Sequence, residues 1–189
     1  MIRVCHLTSV HPRYDVRIFY KECVSLAFAG YEVYLIVADG MGDEVKEGVH
    51  IVDVGKRETS RISRFIKTAN IVFKKAIDLK AALYHIHDPE LLRIAFKLNN
   101  KQTKVLYDAH EDLPRQILSK QYINQYTRKA VSVLTENLEV KIVRKLNGVI
   151  AASPAIRNRF LRVNKNTIDI NNYPIIDKAL LKVGWKDRE

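Results

Sequence analysis

Residues 81–89 read AALYHIHDP, an apolar run that ends in polar residues, and residues 104–112 repeat this pattern as KVLYDAHED. Such apolar runs are typical of strands that are buried on both faces of a parallel sheet. In an open parallel sheet, ligands bind beyond the carboxyl ends of the strands. Because a polar cluster follows each of the two runs, we expect the clusters to meet at one site on that edge.

The rest of the chain alternates between strand and helix patterns. Strands are predicted at 2–7, 31–38, 49–54, 82–86, 104–107, 148–152 and 167–170. Helices are predicted from the cap Asp15 to about Ala29, over 61–79, 89–98 and 115–145, and after the cap Ser153. This alternation predicts an α/β fold, a Rossmann-like parallel sheet with helices on both faces.

The charge balance is unusually basic. The 189 residues include 32 Lys and Arg against 21 Asp and Glu, a net charge of +11. Such an excess favours polyanionic partners, which include nucleic acid, anionic lipid headgroups and phosphorylated substrates. No recognised RNA- or DNA-binding signature is found, so a nucleic-acid partner is not predicted.

Cysteine content and hydropathy bear on the compartment. Cys5 and Cys23 lie in a predicted strand and a predicted helix, which is typical of small buried hydrophobic residues in a reducing environment. No stretch approaches the roughly 18 consecutive apolar residues that a membrane-spanning helix needs. We therefore expect a cytoplasmic protein.

The loop SVHPRYD at 9–15 joins the first strand to the first helix, where doubly wound folds bind phosphates. It contains no glycine, which disfavours a dinucleotide site of the Gly-x-Gly-x-x-Gly type. The helix N-terminus together with Arg13 and Arg17 could still bind an anion. Solvated arginines in a polar loop are the equally acceptable alternative.

Histidines in the two clusters allow two kinds of chemistry. His85 and His87 share one face of a strand, so His85, His87 and His110 could form the zinc site of a hydrolase. We favour instead a hydrogen-bonded core position for His85. If the second strand extends far enough, Asp108 and His110 share a face, and the carboxylate could orient the ring for acid–base work.

The segment Lys56–Lys80 contains eight basic residues, against Glu58 and Asp78 as the acidic ones. Ile71 lies among basic side chains on the polar face of its helix, a pattern that suits a helix lying on an anionic membrane. The alternative is a solvated face. Residues 113–134 mix aromatic and basic side chains and are a second candidate surface.

Taken in order, these segments resemble a known family. They are SVHPRYDVRIF at 9–19, AGYEV at 29–33, HDP at 87–89, YDAHED at 107–112, ASP at 152–154 and NYP at 172–174. The set is similar to the N-terminal half of retaining glycosyltransferases of the GT-B fold, in the group-4 family that builds bacterial polysaccharides. The resemblance runs to about Pro174.

The resemblance implies that the chain is half of an enzyme. Residues 1–174 would form the Rossmann-like acceptor-side domain, and residues 175–189 the start of a linker to a donor-binding domain that this chain does not include. The substrates would be a nucleotide-sugar and a glycan or lipid-linked acceptor, without metal or other cofactor, at the inner face of the cell membrane. Alone, the chain would not catalyse transfer.

The resemblance also assigns roles to residues. His110 matches the catalytic histidine near the transferred sugar, while Arg13 and Arg17 would line the cleft. Asp88 and Glu111 would bind acceptor hydroxyls or orient His110. The remaining substrate-binding candidates are His87 and Asp108. The alternative function is a stand-alone binding module that docks on an anionic membrane, through Lys56–Lys80, or on a separate catalytic subunit.

Overall fold

The fold is an eight-stranded sheet with helices on both faces. A computed structural model describes residues 1–60, 63–122 and 124–173. The strands are β1 (Arg3–Leu7), β2 (Glu32–Val37), β3 (Glu44–Lys46), β4 (Val49–Asp53), β5 (Leu83–Ile86), β6 (Lys104–Ala109), β7 (Gly148–Ala151) and β8 (Thr167–Asp169). Their order is β3-β4-β2-β1-β5-β6-β7-β8, all parallel except for β3, which is antiparallel to β4. The predicted α/β class is confirmed.

In the described part of the chain, six helices connect the strands. Helix α1 is a π-helical segment Val16–Cys23 that continues as the α-helix Val24–Phe28, and α2 joins a π-helical turn Arg64–Thr68 to Ala69–Leu79. Helix α3 begins with the 3₁₀ turn Pro89–Leu91 and continues as Leu92–Leu98. The remaining helices are α4 (Leu113–Ser119), α5 (Gln125–Val143) and α6 (Pro154–Leu161).

Two helices begin at the caps that the sequence predicts. The Asp15 carboxylate accepts hydrogen bonds from the backbone N–H groups of Arg17 and Ile18, both at 2.9 Å. The Ser153 hydroxyl accepts a bond from the Ile156 backbone N–H at 3.4 Å. Each cap satisfies donors that a helix start otherwise leaves without a partner.

Each face of the sheet has its own apolar core. On one face, Ile18 and Phe19 of α1 pack with Val33 and Leu35 of β2 in a fully buried cluster. On the other face, a larger cluster joins the strands to α2, α3, α5 and α6. Burial of this apolar surface is the main source of stability in such folds.

Three elements differ from the sequence prediction. Strand β3 was not predicted, because three residues with an exposed Val45 show no apolar pattern. The helical region expected over 115–145 is two helices, α4 and α5, and the Asn124 side chain caps the second by accepting the Tyr126 N–H at 2.9 Å. Strand β6 extends to Ala109, so Asp108 lies within it.

Two further expectations can be compared with the structure. Cys5 and Cys23 are fully buried free thiols, as predicted for small hydrophobic side chains. Among the helices of the described residues, none is long and apolar enough to cross a lipid bilayer. The predicted domain boundary at 174, the linker 175–189 and Arg61 lie outside the described residues.

Candidate active site

The two polar clusters meet at the carboxyl edge of the sheet, as expected from the sequence. Strand β1 lies between β2 and β5, and the order of the strands reverses there. This reversal is where open α/β sheets bind ligands. His87 Nδ1 lies 3.3 Å from His110 Nε2, which joins the first cluster to the second. A cavity of about 470 Å³ lies beside them, lined by both histidines, Asp88 and Glu111 among others.

Strand alternation explains why polar side chains gather here. In β5 and β6, Tyr84, Ile86 and Tyr107 face the larger apolar core, so their neighbours face the side of the sheet that carries α1. Those neighbours include His85 and Asp108, which are buried although they are polar. Beside the apolar contact of α1 with β2, this face of the sheet therefore contains a buried polar cluster.

Asp88 fixes the loop that follows β1. One of its carboxylate oxygens, Oδ2, accepts bonds from the Thr8 hydroxyl at 3.0 Å, from the Ser9 N–H at 2.5 Å and hydroxyl at 3.0 Å, and from the Val10 N–H at 3.2 Å. Its other oxygen lies 3.4 Å from His11 Nε2. The side chain is 2% exposed, so it is mainly an internal anchor that reaches the cavity at its edge.

Asp108 connects His110 to an arginine. Its Oδ2 lies 3.0 Å from His110 Nε2, and Arg17 donates to both carboxylate oxygens, from Nε at 2.9 Å and from Nη2 at 2.8 Å. Arg17 Nη1 also donates to the Ile170 carbonyl at 2.7 Å. A bidentate arginine fixes both the position and the plane of a carboxylate. The Asp108 carboxylate, held in this way, in turn orients the imidazole of His110.

The electrostatics of this network favour an ionised Asp108 beside a neutral His87. Burial alone would raise the pKa of Asp108, but hydrogen bonds from His110, His87 and Arg17 bring it well below its usual range. Burial lowers the pKa of His87 to about 3, so this ring is neutral at physiological pH. Arg17 therefore balances the negative charge of Asp108, and the rings of His87 and His110 contact the same carboxylate.

The π-helical start of α1 adds Glu22 to the network. Successive turns of a π-helix align residues five apart, whereas an α-helix aligns residues three or four apart. Arg17 and Glu22 are five apart, and Arg17 Nε lies 3.2 Å from Glu22 Oε1. Burial, and then the charge of Asp108, raise the pKa of Glu22 to about 9.

Arg13 lies outside the cavity. It donates to both carboxylate oxygens of Asp39 at 2.7 Å, to Glu44 at 3.1 Å and to the Gly42 carbonyl at 3.0 Å. Arg17 is equally occupied by Asp108. Internal carboxylates thus pair both guanidinium groups, and neither arginine is among the described residues that line this cavity. That Arg13 and Arg17 line the cleft and bind substrate stays a prediction.

The rim of the cavity is charged. Glu111 is exposed there, as the substrate-binding expectation requires, and Lys120 lies on the same lining. Arg64 Nε lies 3.2 Å from Glu90 Oε1, and burial raises the pKa of Glu90. Apolar side chains such as Ile117 complete the wall. The cavity thus offers both hydrogen-bonding groups and apolar contact.

The three-histidine hydrolase site is not assembled in the described residues. His87 points its two ring nitrogens in opposite directions: Nδ1 lies toward Asp108 and His110, and Nε2 lies 2.9 Å from His6 Nδ1. His85 groups with the second set and not with the first. His85, His87 and His110 therefore do not share one centre.

The basic helix α2 presents a mixed face. Ile71 is 49% exposed, as the membrane-helix interpretation requires, and the Lys67 side chain is 67% exposed. Lys74 is exposed on the same helix, whereas Arg64 is paired with Glu90. An exposed basic surface with an apolar residue in it is present, and membrane binding stays a prediction.

Several residues of the site were not identified from the sequence. His6 and Glu22 join the histidines of β5, and Thr8 and Ser9 bind Asp88. A histidine inside an otherwise apolar strand was the available signal for His6. The sequence gives no comparable indication for Glu22, because its alignment with Arg17 depends on the π-helical geometry.

A family model and several solved structures match this chain. A family model described as Glycosyltransferase Family 4 matches residues 16–170. Among solved structures, sucrose-phosphate synthase from Thermosynechococcus elongatus superposes with a TM-score of 0.65 at 18% identity, covering 97% of this chain and 53% of that protein. A comparison with curated proteins finds no match.

Two further structures share the fold. A second structure of that synthase gives a TM-score of 0.60 at 15% identity, over 98% of this chain and 97% of the other. The catalytic domain of starch synthase IV from Arabidopsis thaliana, bound to ADP and acarbose, gives 0.60 at 11% identity, over 90% of this chain and 51% of the other. The chain thus spans about half the length of two of these three structures.

Proposed function

The chain belongs to glycosyltransferase family 4, and from this membership we propose that it forms the acceptor-binding half of a retaining glycosyltransferase. The enzyme would move a sugar from a nucleotide-sugar to a glycan or lipid-linked acceptor in cell-surface polysaccharide synthesis. One observation carries the proposal. His110, oriented by Asp108 at 3.0 Å, lies on the wall of a cavity at the carboxyl edge of the sheet.

Asp108 gives His110 a defined role. If the His110 Nε2–H donates to the ionised Asp108, the other ring nitrogen becomes a hydrogen-bond acceptor. Through that nitrogen, the oriented imidazole can accept a bond from a hydroxyl of the transferred sugar while the glycosidic bond to the diphosphate breaks. Arg17 supports this arrangement from behind, since it fixes the Asp108 carboxylate through two bonds.

The cavity suits a sugar acceptor. Its volume of about 470 Å³ lies in the usual range for small-ligand sites. The exposed carboxylate of Glu111 can accept bonds from acceptor hydroxyls, Asp88 reaches the same wall at its edge, and Lys120 and Gln116 add donors. Apolar Ile117 offers a surface for the carbon face of a sugar ring. Together these groups match the mixed character of carbohydrates.

The donor would come from a second domain. The chain spans about half the length of two of the GT-B structures that share its fold, and the family resemblance places the nucleotide-sugar on the other half. The departing diphosphate would be stabilised there by fixed positive groups, without a metal in the reaction. Closure of the two halves would bring the donor to His110.

The test is His110→Ala in the full-length gene product. We expect kcat for sugar transfer to fall by about 10²–10⁴-fold, because a positioned acid–base or hydrogen-bonding group is lost. His50→Ala is the matched control, since His50 stacks on Tyr34 away from the cavity. Activity is measured with a panel of labelled nucleotide-sugars, and folding by circular dichroism.

Near-normal turnover in His110→Ala would contradict the assignment. The alternative of a stand-alone binding module makes a different prediction for the gene. Sequence beyond the codon of Glu189 should contain a further domain of about 150–200 residues under the proposal. A stop codon soon after Glu189 would favour the binding module.

The acceptor would reach the site from the inner membrane surface. The exposed basic face of α2, with Lys67, Ile71 and Lys74, supports docking on anionic lipid. We expect the protein to co-sediment at low salt with vesicles containing phosphatidylglycerol and not with phosphatidylcholine alone. Lys67→Glu with Lys74→Glu should abolish this binding, while Lys101→Glu, a charge change outside α2, should not. Equal binding by all three proteins would contradict it.

A further inference from the structure

Four side chains of metal-ligating type, His87 among them, converge on the side of the His87 ring that faces away from the cavity. They are His6 of β1, His85 and His87 of β5, and Glu22 of α1, and their ligand atoms all lie within 4.8 Å of one another. The parallel register sets His6 directly beside His85, and strand alternation puts His87 on the same face. The π-helical turn of α1 brings Glu22 over them.

The distances within this group are close to those of a coordination shell. Glu22 Oε2 lies 3.8 Å from His6 Nδ1, 3.6 Å from His85 Nδ1 and 3.8 Å from His87 Nε2. His6 Nδ1 and His87 Nε2 are 2.9 Å apart. A tetrahedral metal with bonds of about 2.0–2.1 Å separates its ligands by about 3.3 Å. The distances from Glu22 Oε2 and the His6–His87 separation lie within about half an ångström of that spacing, and the ring nitrogen of His85 lies within 4.8 Å of those of His6 and His87.

One ligand atom is without a partner. Glu22 Oε2 is shielded from solvent and has no hydrogen-bond partner among the described residues, although its sister oxygen lies near Arg17. Buried polar atoms are nearly always satisfied, so an orphaned carboxylate oxygen aimed at three imidazoles needs an explanation. A cation at the centre of the group supplies one.

We propose that His6, Glu22, His85 and His87 form a buried site for a divalent transition metal, with tetrahedral zinc as the best fit. Three imidazoles and one carboxylate are ligands that zinc prefers, and four protein ligands make a closed, structural site.

The site would position His110 without entering the reaction. His87 would bind the metal through Nε2 and present Nδ1 to Asp108 Oδ2, which lies 3.4 Å away. A histidine ligand backed by a carboxylate is the usual outer arrangement at zinc sites. The same Asp108 orients His110. The metal would thus cross-link α1 to β1 and β5 and fix the base of the active site.

The experiment measures metal directly in untagged full-length protein. After removal of metal with a chelator, Zn²⁺ is expected to rebind at one equivalent per chain and to raise Tm by several degrees. Co²⁺ in its place should give the intense visible absorption of a tetrahedral site. His85→Ala and Glu22→Gln should each lose these signals, while the controls His50→Ala and His110→Ala keep them, because neither residue belongs to the group.

Three outcomes would overturn the inference. They are no rebinding of Zn²⁺, Co²⁺ spectra of octahedral type, or full metal content in both ligand variants. If the ligand variants do not fold, the wild-type Co²⁺ spectrum decides alone. Because these readouts are independent of sugar transfer, the metal site can fail while the proposed glycosyltransferase activity holds, and the reverse.

Discussion

Arg13 and Arg17 lie four residues apart, are about equally buried, and each binds an aspartate through two hydrogen bonds. Their surroundings differ. Asp39, the partner of Arg13, follows β2, and its side chain is 21% exposed. Asp108, the partner of Arg17, is fully buried between two histidines. An arginine–aspartate pair thus fixes a surface loop in one place, and a second such pair orients the candidate catalytic ring in the other.

The comparison teaches that the neighbours of the carboxylate decide what an arginine does. Beside Asp39 there are backbone groups and Glu44, so the Arg13 pair closes a turn. Beside Asp108 there are rings that share its oxygen, so the Arg17 pair sets the electrostatics of the site. Substitutions in the two pairs should therefore separate stability from catalysis.

Arg17→Met should have the largest effect. Removal of the guanidinium leaves Asp108 buried with its charge uncompensated, which costs about 3–5 kcal/mol in the free energy of unfolding. Urea denaturation followed by circular dichroism measures the loss. Arg17→Lys, which keeps the charge but not the paired bonds, should lose less. Equal stability of Arg17→Met and wild type would mean that the pair is not structural.

Asp108→Asn should act mainly on turnover. The amide cannot accept from His110 as a carboxylate does, so the ring loses its orientation, and kcat should fall about 10–100-fold because a small misplacement of a reacting group can cost about 100-fold. KM for the acceptor should change little. Asp39→Asn is the matched control and should leave kcat unchanged in the full-length enzyme. A similar loss in both variants would remove the distinction between the pairs.

Arg13→Met should cost less than Arg17→Met. Its partners Asp39 and Glu44 reach solvent, so water can replace part of the lost bonding, and the free energy of unfolding should fall by about 1–2 kcal/mol. Amide hydrogen exchange should rise in the turn at 39–43 and not near Asp108. Faster exchange throughout the sheet would show that Arg13 supports more than its turn.

The pH dependence of stability should show the smallest difference. The hydrogen bond from Arg13 holds the pKa of Asp39 below its usual range. Such a group contributes stability above its unfolded pKa, about 3.9, and that contribution is lost as pH falls through the folded value. Asp39→Asn should therefore lose less stability than wild type as the pH falls below about 4. Identical acid limbs in the two proteins would contradict this.

Strands, caps and the edge that carries the site could be predicted from the sequence because they depend on local patterns. The runs before His85 and Asp108 are apolar and short, and Asp15 and Ser153 are side chains that cap helices. The meeting of the two clusters followed from sheet topology alone. These are consequences of chain order and of residue type.

The ion-pair partners of the two arginines and the histidine cluster around Glu22 could not be predicted. Arg13 and Arg17 look alike in sequence, and only the folded chain shows which carboxylate each one meets. Glu22 aligns with Arg17 through a π-helical turn, which the helix pattern from Asp15 to Ala29 does not distinguish from an α-helical one. The pairing of His6 with His85 depends on the register of two strands that lie far apart in the chain.

Cys5 and Cys23 are two internal probes of local opening. Both thiols are wholly buried, one in central strand β1 and the other in α1 beside Glu22. Burial raises the pKa of each thiol, so an alkylating reagent can react only while the surroundings are open. The rate at Cys23 therefore reports how often α1 lifts from the sheet, and the rate at Cys5 how often the larger core on the opposite face opens.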